Sequence, residues 1–447
     1  MSSTLIINAT VVNEGELIEA DVRLCDGRIE RIGAALTARG DESILDAAGR
    51  VLLPGLIDDQ VHFRDPGLTH KGDLQTESRA AVAGGITSFF DMPNTEPQTL
   101  SPERLEEKYA HAAQRCHANY GFWLGASNDN LEHIKRLNPA TAPGVKIFMG
   151  ASTGNMLVDR PEVLEGIFRE SPTLIATHCE DQAIIAANLV AARAQFEDHI
   201  PVEWHPKIRS HEACIKSTRL ALELARRHNA RLHVLHLSTA QEVLLFPAGP
   251  IEHKRITAET CVHFLHFDER GYTLYGNRIK CNPAIKSSAD REMLLQGLLD
   301  DRIDVLATDH APHTLEEKAR RYADAPSGLP LVQYALVALL DRYFEGRLSL
   351  TQIVDKACHA PARLFGVADR GFIREGYHAD LVLVDLNRPR TVRAADVLSK
   401  VGWSPFEGHT FQASVAATWV NGQLAWDGEK VHEVRAGQRL KFLGTRR

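Results

Sequence analysis

Five short apolar runs of this chain end in, or enclose, a side chain that can bind a metal ion. These side chains are His62, Lys146, His178, His236 and Asp309. In a parallel α/β barrel, the strands deliver residues at their carboxyl ends to one shared face, where the active sites of that fold lie. The pattern therefore predicts an enzyme with a metal centre built on such a barrel.

The middle of the chain alternates apolar segments with helical ones. The predicted strands are LLPGLID, ITSFFDM, NYGFWLG, VKIFMG, TLIATH, RLHVLH, RITAET and IDVLATD. Helices are predicted over residues 102–115, 160–169, 211–228, 290–299 and 331–344. Eight strand–helix units predict the α/β class and a (β/α)8 TIM-type barrel with its site at the strand carboxyl ends.

Both ends of the chain are rich in short strands and tight turns. Asp26-Gly27 and Asn421-Gly422 are strong hairpin signals. We therefore predict a small β-sandwich-like domain built from both termini, residues 1–53 and 369–447, around a catalytic barrel over residues 54–368.

The composition of the chain argues against several classes of function. The net charge is −7, with 58 acidic and 51 basic residues, which gives no electrostatic basis for binding nucleic acid or an anionic membrane. No stretch approaches about 18 uninterrupted apolar residues, and the first residues do not resemble a signal peptide. The seven cysteines lack CxxC spacing, which argues against a disulfide framework or a cysteine zinc site. A cytoplasmic enzyme acting on a small molecule is expected.

The candidate ligands suit a first-row divalent ion. Three imidazoles, of His62, His178 and His236, and the carboxylate of Asp309 form a nitrogen and oxygen ligand set typical of zinc. Lys146 lies inside an apolar strand, where burial favours its neutral amine. That amine can add carbon dioxide to form a carbamate, or the lysine can pair with a carboxylate. The strand pattern leaves both alternatives open.

A series of ordered motifs resembles the dihydroorotases of the amidohydrolase superfamily, in its cyclic amidohydrolase branch. The barrel motifs are PGLIDDQVHFRDPGLTHKGD, FFDMPNT, GVKIFMG, THCED, HLST, KCNPAIKS, ATDHAPHT and PSGLP. The resemblance spans Pro54 to about Ala368 and continues into the closing segments RGFIREGYHADLVLVD and WSPFEG. It implies reversible hydrolysis of (S)-dihydroorotate to N-carbamoyl-L-aspartate, a step of de novo pyrimidine biosynthesis.

The resemblance also implies a ligand set. A carbamate on Lys146 bridges two Zn²⁺ ions, with His178 and His236 on one ion and His62 and Asp309 on the other. His233 lies three residues before His236, and the family's HxS-type strand end favours His236 as the ligand. His233 is then expected to be a packed or hydrogen-bonded histidine.

One position departs from the family pattern. The family usually has His-x-His at the end of the first barrel strand, whereas this chain has Gln60-Val61-His62. Gln60 either ligates through its amide oxygen, a poorer ligand than imidazole, or packs beside the site. We therefore expect a weak first metal site and one or two bound ions.

The same resemblance assigns substrate contacts and a proton carrier. Arg64, Asn94 and His313 would bind the free carboxylate of dihydroorotate, and Arg64 points to the same side of its strand as His62. Asn282 and the backbone from Pro326 to Gly328 would bind the ring amide groups. Asp309 would act as general base and then as general acid. Loops at 152–155 and 316–325 are candidates to close over the substrate.

Two alternatives remain. A related cyclic amidase, of the hydantoinase or allantoinase type, shares the metal chemistry but needs no carboxylate contact by Arg64, Asn94 and His313. A non-catalytic dihydroorotase-like scaffold for aspartate transcarbamoylase is the other, and Gln60 is the feature that supports it. We expect a homodimer, and the sequence leaves an association with aspartate transcarbamoylase open.

Overall fold

The computed structural model describes residues 3–150 and 156–444. The predicted closing loop at 152–155 lies outside the described residues. The other predicted loop contains a helical turn, Leu315–Lys318.

The first part of the chain forms the strands of a terminal sheet. Their bounds are Ser3–Asn13 (β1), Glu16–Cys25 (β2), Arg28–Gly33 (β3), Ser43–Asp46 (β4) and Val51–Pro54 (β5). β1 pairs antiparallel with β2 and parallel with β4 and β5. The β2–β3 turn carries Asp26 at φ 47° and Gly27 at φ 82°, as a two-residue type I′ turn requires.

The barrel follows, and each of the eight predicted strands is present. The strands are Leu56–Val61 (β6), Ile86–Asp91 (β7), Asn119–Phe122 (β8), Leu124–Gly125 (β9), Val145–Phe148 (β10), Ile175–His178 (β11), Leu232–Val234 (β12), Ile256–Cys261 (β13) and Val305–Ala307 (β14). The third predicted strand is divided into β8 and β9. The first, LLPGLID, is divided as well, because its first three residues belong to β5 of the terminal sheet and the barrel strand β6 begins at Leu56. Neighbouring strands pair in parallel, and a parallel bridge between Val61 and His310 joins the last strand end to β6. The predicted TIM-type barrel is therefore confirmed.

Helices connect the barrel strands. The longer ones are Leu74–Ala83 (α1), Pro102–Ala112 (α2), Pro161–Glu170 (α4), Gln182–Phe196 (α5), His211–Arg227 (α7), Ser288–Leu299 (α11) and Ala335–Phe344 (α13). The shorter ones are Leu131–Lys135 (α3), His205–Ile208 (α6), Ala240–Val243 (α8), Val262–His266 (α9), Gly271–Tyr275 (α10), Leu315–Lys318 (α12), Leu350–Val354 (α14) and Ala360–Phe365 (α15). Ser101 and Ser210 cap α2 and α7 through their hydroxyls.

Two predicted helices differ at their ends. α2 stops at Ala112 because Ala113 takes an extended ψ of 130°. The segment predicted as one helix from residue 331 begins with the 3-10 turn Val332–Tyr334 before α13. The amides of Leu331 and Val332 donate to Nδ1 of His310, at 2.8 and 3.2 Å. This side chain therefore satisfies amides that a regular first helical turn would leave without partners.

The C-terminal strands complete the terminal sheet. The sheet takes in Leu381–Asp385 (β15), Ser414–Val420 (β18) and Gln423–Trp426 (β19), whereas Arg390–Thr391 (β16) and Thr410–Phe411 (β17) pair with each other in a separate two-stranded sheet. β15 pairs antiparallel with β5, so the two ends of the chain share one sheet in the order β19-β18-β15-β5-β1-β2-β3. This confirms that both termini build the small β domain. No helix among the described residues has the length and apolar character needed to cross a membrane.

Candidate active site

A cavity of about 370 Å³ opens at the carboxyl ends of the barrel strands. Twelve side chains or backbone positions singled out in the sequence line it: Gln60, His62, Arg64, Asn94, Lys146, His178, His236, Asn282, Asp309, His313, Pro326 and Gly328. Strand geometry explains the convergence, since parallel strands end at the same rim of the barrel. The residues singled out in the sequence therefore lie around one cavity.

His178 and His236 form one side of the cavity. Nδ1 of His178 lies 2.9 Å from Nε2 of His236, while Nε2 of His178 lies 3.0 Å from a carboxylate oxygen of Glu180. Burial lowers the pKa of His178 and, with the nearby charges, holds the pKa of His236 well below its usual range. Both rings are therefore neutral near pH 7, which is the form that binds a metal ion.

Glu180 is held in its charged form. Burial opposes ionisation of this carboxyl, but Arg209 and His178 outweigh it and lower the pKa of Glu180 to about 2. Arg209 forms an ion pair with Glu180 and also lines the cavity. The carboxylate thereby fixes the ring of His178 and leaves Nδ1 facing its neighbour.

His62, Asp309 and Gln60 form the opposite group. Nε2 of His62 lies 3.3 Å from Oδ1 of Asp309, and the amide nitrogen of Gln60 donates to the same oxygen at 3.1 Å. Nδ1 of His62 lies 2.8 Å from Oδ1 of Asn94. The amide oxygen of Gln60 is buried and has no hydrogen-bond partner among the described residues.

Lys146 projects from β10 into the cavity and is almost fully buried. Burial lowers its pKa to about 8, against the opposing effect of Asp309 and Glu259. Its Nζ lies 4.7 Å from the ring centroid of Phe148, and within the described part of the chain it forms no ion pair with a carboxylate. The simple ion pair, one of the two alternatives for this lysine, is absent there.

A group of basic side chains lies beside the ligand candidates. Nη2 of Arg64 lies 3.1 Å from Nε2 of His313, and Nζ of Lys71 lies 3.1 Å from the other ring nitrogen. Burial, with the charges of Arg64 and Lys71, holds the pKa of His313 well below its usual range. Burial also lowers the pKa of Arg64 to about 10, so the guanidinium remains charged. This part of the cavity is suited to an anion.

The Pro326–Gly328 segment forms another wall. Nζ of Lys318 donates to the carbonyls of Lys280, Pro326 and Gly328, at 2.9, 3.0 and 3.0 Å. Gly328 has φ 144°, and a Cβ there would lie 2.4 Å from the carbonyl oxygen of Ala311. Only glycine therefore fits, and the segment presents backbone groups to the cavity.

Three of the cavity residues adopt a left-handed backbone conformation. Arg64, His236 and Asp309 have φ values of 68°, 41° and 51°. Non-glycine residues rarely take this conformation, and at functional sites it turns a side chain away from the direction that the strand would give it. His236 and Asp309 each lie two residues beyond the end of a barrel strand, β12 and β14 respectively.

Three further residues line the cavity that the sequence did not single out, Phe148, Arg209 and Ala311, and Ser327 joins them from within the Pro326–Gly328 segment. Phe148 lies two residues after Lys146 on the same strand, so the period-2 rule would have found it. Ala311 and Ser327 lie within quoted motifs. Arg209 precedes α7 and carries no strand-end signal.

A second group of potential ligands lies inside the barrel and does not line the cavity. Asp59, His233 and Glu259 are fully buried and offer ligand atoms that all lie within 4.8 Å of one another. His233 is hydrogen-bonded, as expected, with Nδ1 2.8 Å from the hydroxyl of Thr257. Burial would lower the pKa of His233, but Asp59 and Glu259 outweigh it and raise it to about 9.

Comparison with known proteins places the chain among relatives of defined chemistry. The sequence pattern of the amidohydrolase family matches residues 51–425. The chain belongs to the amidohydrolase family. This membership confirms a hydrolase acting on cyclic amides, and the family is generally metal-dependent.

Individual amidohydrolases are similar over nearly their whole length. A dihydroorotase of Halobacterium salinarum is 35% identical over 429 residues, covering 95% of this chain and 97% of that protein. An allantoinase of Bacillus velezensis is 30% identical over 444 residues, covering 98% and 97%. The structure of an L-hydantoinase from Arthrobacter aurescens superposes with a TM-score of 0.92 at 27% identity, covering 99% and 100%.

The donor set fits the metal that this amidohydrolase fold implies. Two contacts bring potential ligand atoms together: a ring nitrogen of His178 lies 2.9 Å from one of His236, and a ring nitrogen of His62 lies 3.3 Å from the carboxylate of Asp309. Ligands about 2.0–2.2 Å from a zinc ion lie at comparable separations from one another. Nδ1 of His236 and the amide oxygen of Gln60 have no hydrogen-bond partner among the described residues, so they too are available as potential metal ligands.

Proposed function

We propose that this amidohydrolase is a dihydroorotase, which reversibly hydrolyses the cyclic amide of (S)-dihydroorotate to N-carbamoyl-L-aspartate. The observation that carries the proposal is the position of Arg64 and His313 in the same cavity as the ligand candidates. Dihydroorotate bears a free carboxylate next to its ring, whereas hydantoin and allantoin do not. The similarity to a dihydroorotase over 95% of this chain supports the same assignment.

Arg64 is the principal carboxylate-binding group in this proposal. Its guanidinium remains charged despite burial, and its contacts with His313 Nε2 and the carbonyl of Pro312, at 3.1 and 3.2 Å, fix its orientation. Asn94 lines the cavity beside His62 and supplies an amide. An oriented guanidinium forms paired hydrogen bonds with a carboxylate, which positions the ring carbonyl toward the ligand candidates.

The ring amide would contact Asn282 and the Pro326–Gly328 backbone. The side-chain oxygen of Asn282 is buried without a hydrogen-bond partner among the described residues, so it is free to accept from a ring N–H. The three hydrogen bonds from Lys318 hold the opposite backbone in place. These contacts would orient the scissile bond.

Zinc would be held by His178 and His236 on one side and by His62 and Asp309 on the other, with carbamylated Lys146 between them. Gln60 would contribute its amide oxygen or only its hydrogen bond to Asp309. When bound, one or two ions would polarise the ring carbonyl and lower the pKa of the attacking water. The lowered pKa of Lys146 supports carbamate formation, since only a neutral amine adds carbon dioxide.

Asp309 would carry the proton. Its Oδ1 already accepts from Gln60 and faces His62, while the left-handed backbone turns the carboxylate into the cavity. It would accept a proton from the attacking water and return it to the leaving ring nitrogen. In the synthetic direction the same group would take the proton from the ureido nitrogen.

A substrate comparison tests the proposal. Zinc-loaded protein is assayed on dihydroorotate, N-carbamoyl-L-aspartate, hydantoins and allantoin under one set of conditions. The proposal expects turnover of the first two, in opposite directions, with kcat/KM well above that for the uncharged rings. Preference for hydantoin or allantoin would instead establish the second candidate, which the allantoinase and L-hydantoinase similarities favour.

The assembly is also a matter for experiment. We expect a homodimer, and light scattering of the purified protein measures the molar mass that tests this. Co-purification tests the association with aspartate transcarbamoylase. A metal-replete protein that is inactive in both directions yet binds that partner would identify a scaffold. The complete cavity, with its ligand candidates and basic group, supports an active enzyme.

A further inference from the structure

We propose that Asp59, His233 and Glu259 form a second, buried binding site for a divalent cation, with zinc the best fit, inside the barrel. This site is separate from the catalytic ligand set, and its existence does not depend on which cyclic amide the enzyme hydrolyses. The three side chains come from β6, from β12 and from β13. A bound ion would therefore tie the first barrel strand to two strands on another part of the wall.

The separations suit a metal ion. Nε2 of His233 lies 3.5 Å from Oδ2 of Asp59 and 3.3 Å from Oε2 of Glu259. Zinc bonds of about 2.0–2.2 Å in a tetrahedral site place neighbouring ligand atoms about 3.3–3.5 Å apart. The present spacing leaves room for an ion to bind all three side chains with small adjustments.

Asp59 points to a missing ligand independently. It is fully buried, and apart from the 3.5 Å approach of His233 Nε2 to Oδ2 neither of its carboxylate oxygens has a hydrogen-bond partner among the described residues. A buried carboxylate without hydrogen bonds is costly unless a cation compensates it. With both oxygens available, Asp59 can bind an ion in bidentate fashion, which raises the donor atoms from three to the four of a closed site.

His233 is oriented as a metal ligand. The hydroxyl of Thr257 donates its hydrogen to the carbonyl of Leu232 at 3.3 Å, so it accepts the hydrogen of His233 Nδ1 at 2.8 Å. In the neutral ring that would bind an ion, this contact keeps the proton on Nδ1 and directs Nε2 at the two carboxylates. A ligating histidine commonly has this arrangement, in which the second ring nitrogen donates to a fixed acceptor.

The alternative to a bound ion is protonation of the same groups. Burial and the charge of Asp59 raise the pKa of Glu259 well above its usual range, so without an ion the site holds a neutral carboxyl, an imidazolium and one carboxylate. A divalent ion with neutral imidazole would instead balance two carboxylates. Glu259 also connects this site to the catalytic rim, because its Oε1 accepts the backbone N–H of His236 at 3.0 Å. An ion on its other oxygen would fix the strand end that carries His236.

The test is a crystal structure of the holoenzyme, expressed with zinc and measured on both sides of the zinc absorption edge. We expect an anomalous peak about 2.0–2.2 Å from Nε2 of His233 and bonded to Asp59 and Glu259. Absence of that peak after zinc-supplemented expression, with the carboxylates hydrogen-bonded to a protonated His233, would overturn the proposal. The same map shows the catalytic ligand set separately, so the outcome there does not decide this one.

Metal analysis provides a second readout. Glu259→Gln should lose about one equivalent of zinc per chain relative to the wild type. The matched control is Glu242→Gln, another buried carboxylate, which hydrogen-bonds Thr218 and Thr239 and has no part in the proposed site. Equal zinc content in the wild type and both variants would contradict the buried site, and a Glu259→Gln chain that does not fold leaves the wild-type anomalous map to decide.

Discussion

The amide nitrogen of Gln60 donates a hydrogen bond to Oδ1 of Asp309 at 3.1 Å, the same oxygen that lies 3.3 Å from Nε2 of His62. At the position for which the family resemblance predicts a first histidine ligand, this chain thus has a hydrogen-bond donor to the proposed proton carrier. Its amide oxygen remains unpartnered among the described residues. Gln60 therefore offers a metal ion a neutral amide oxygen while its nitrogen contacts Asp309.

Gln60→His should strengthen the first metal site. Imidazole binds zinc better than a neutral amide oxygen, so the variant should retain more metal after dialysis against a weak chelator. Elemental analysis of the dialysed proteins measures this. Gln423→His, on an exposed position of β19, is the control and should match the wild type. A wild-type protein that already keeps two ions tightly would contradict the weak-site interpretation.

Asp309→Asn should remove turnover and leave the fold intact. An amide cannot accept the proton, and general acid–base groups typically contribute about 10²–10⁴-fold to rate. We expect kcat to fall by at least about 10²-fold with an unchanged circular dichroism spectrum. Asp300→Asn, at the exposed C-cap of α11, should retain full activity. Substantial turnover by Asp309→Asn would show that another group carries the proton.

Arg64→Met should affect charged and uncharged substrates differently. Loss of a charge-assisted hydrogen bond costs about 1.5–3 kcal/mol, which corresponds to about a 10- to 100-fold fall in kcat/KM for dihydroorotate. Any residual hydrolysis of a hydantoin should change little, because that ring carries no carboxylate. Arg104→Met, a surface change in α2, controls for general effects. Equal losses on both substrates would mean that Arg64 has a structural role only.

Carbamylation of Lys146 should rise with pH. Burial lowers its pKa to about 8, so the folded protein disfavours the ammonium form, and the reactive amine becomes dominant as the pH passes that value. Labelling of metal-free protein with 13C-bicarbonate, followed by NMR, should therefore increase between about pH 7 and about pH 9. Lys146→Arg should lose the labelled carbamate signal. A signal of equal strength in that variant would place the carbamate elsewhere.

The strand ends and the main cavity were predictable because they follow a local rule. An apolar run that ends in His178 or Asp309 predicts a strand, and in a parallel barrel all strands end at the same rim, so these side chains are expected to meet there. The paired glycine turns likewise predicted the hairpins of the terminal sheet. The pairing of β5 with β15 was less predictable. The sequence shows only that both ends of the chain are rich in short strands and turns, and no local feature specifies which strands pair.

Contacts between distant segments were not predictable in the same way. Arg209 lines the cavity and forms an ion pair with Glu180, and Lys318 donates hydrogen bonds to the Pro326–Gly328 segment. Neither residue lies at a strand end or at a position that a sequence period indicates. The Asp59–His233–Glu259 group is equally non-local, since its first two members lie 174 positions apart in the sequence. His233 and His236 were separable only through family resemblance, because the backbone turn at His236 is a feature of the fold.

The measurement that bears most directly on the account is the ratio of kcat/KM for dihydroorotate to that for hydantoin and allantoin, taken with zinc-loaded wild-type protein. Binding of a free carboxylate by Arg64 and His313 predicts a ratio of at least about tenfold in favour of dihydroorotate, with ring closure of N-carbamoyl-L-aspartate also detected. A ratio below one, or no turnover of dihydroorotate in either direction by metal-replete protein, would contradict the account.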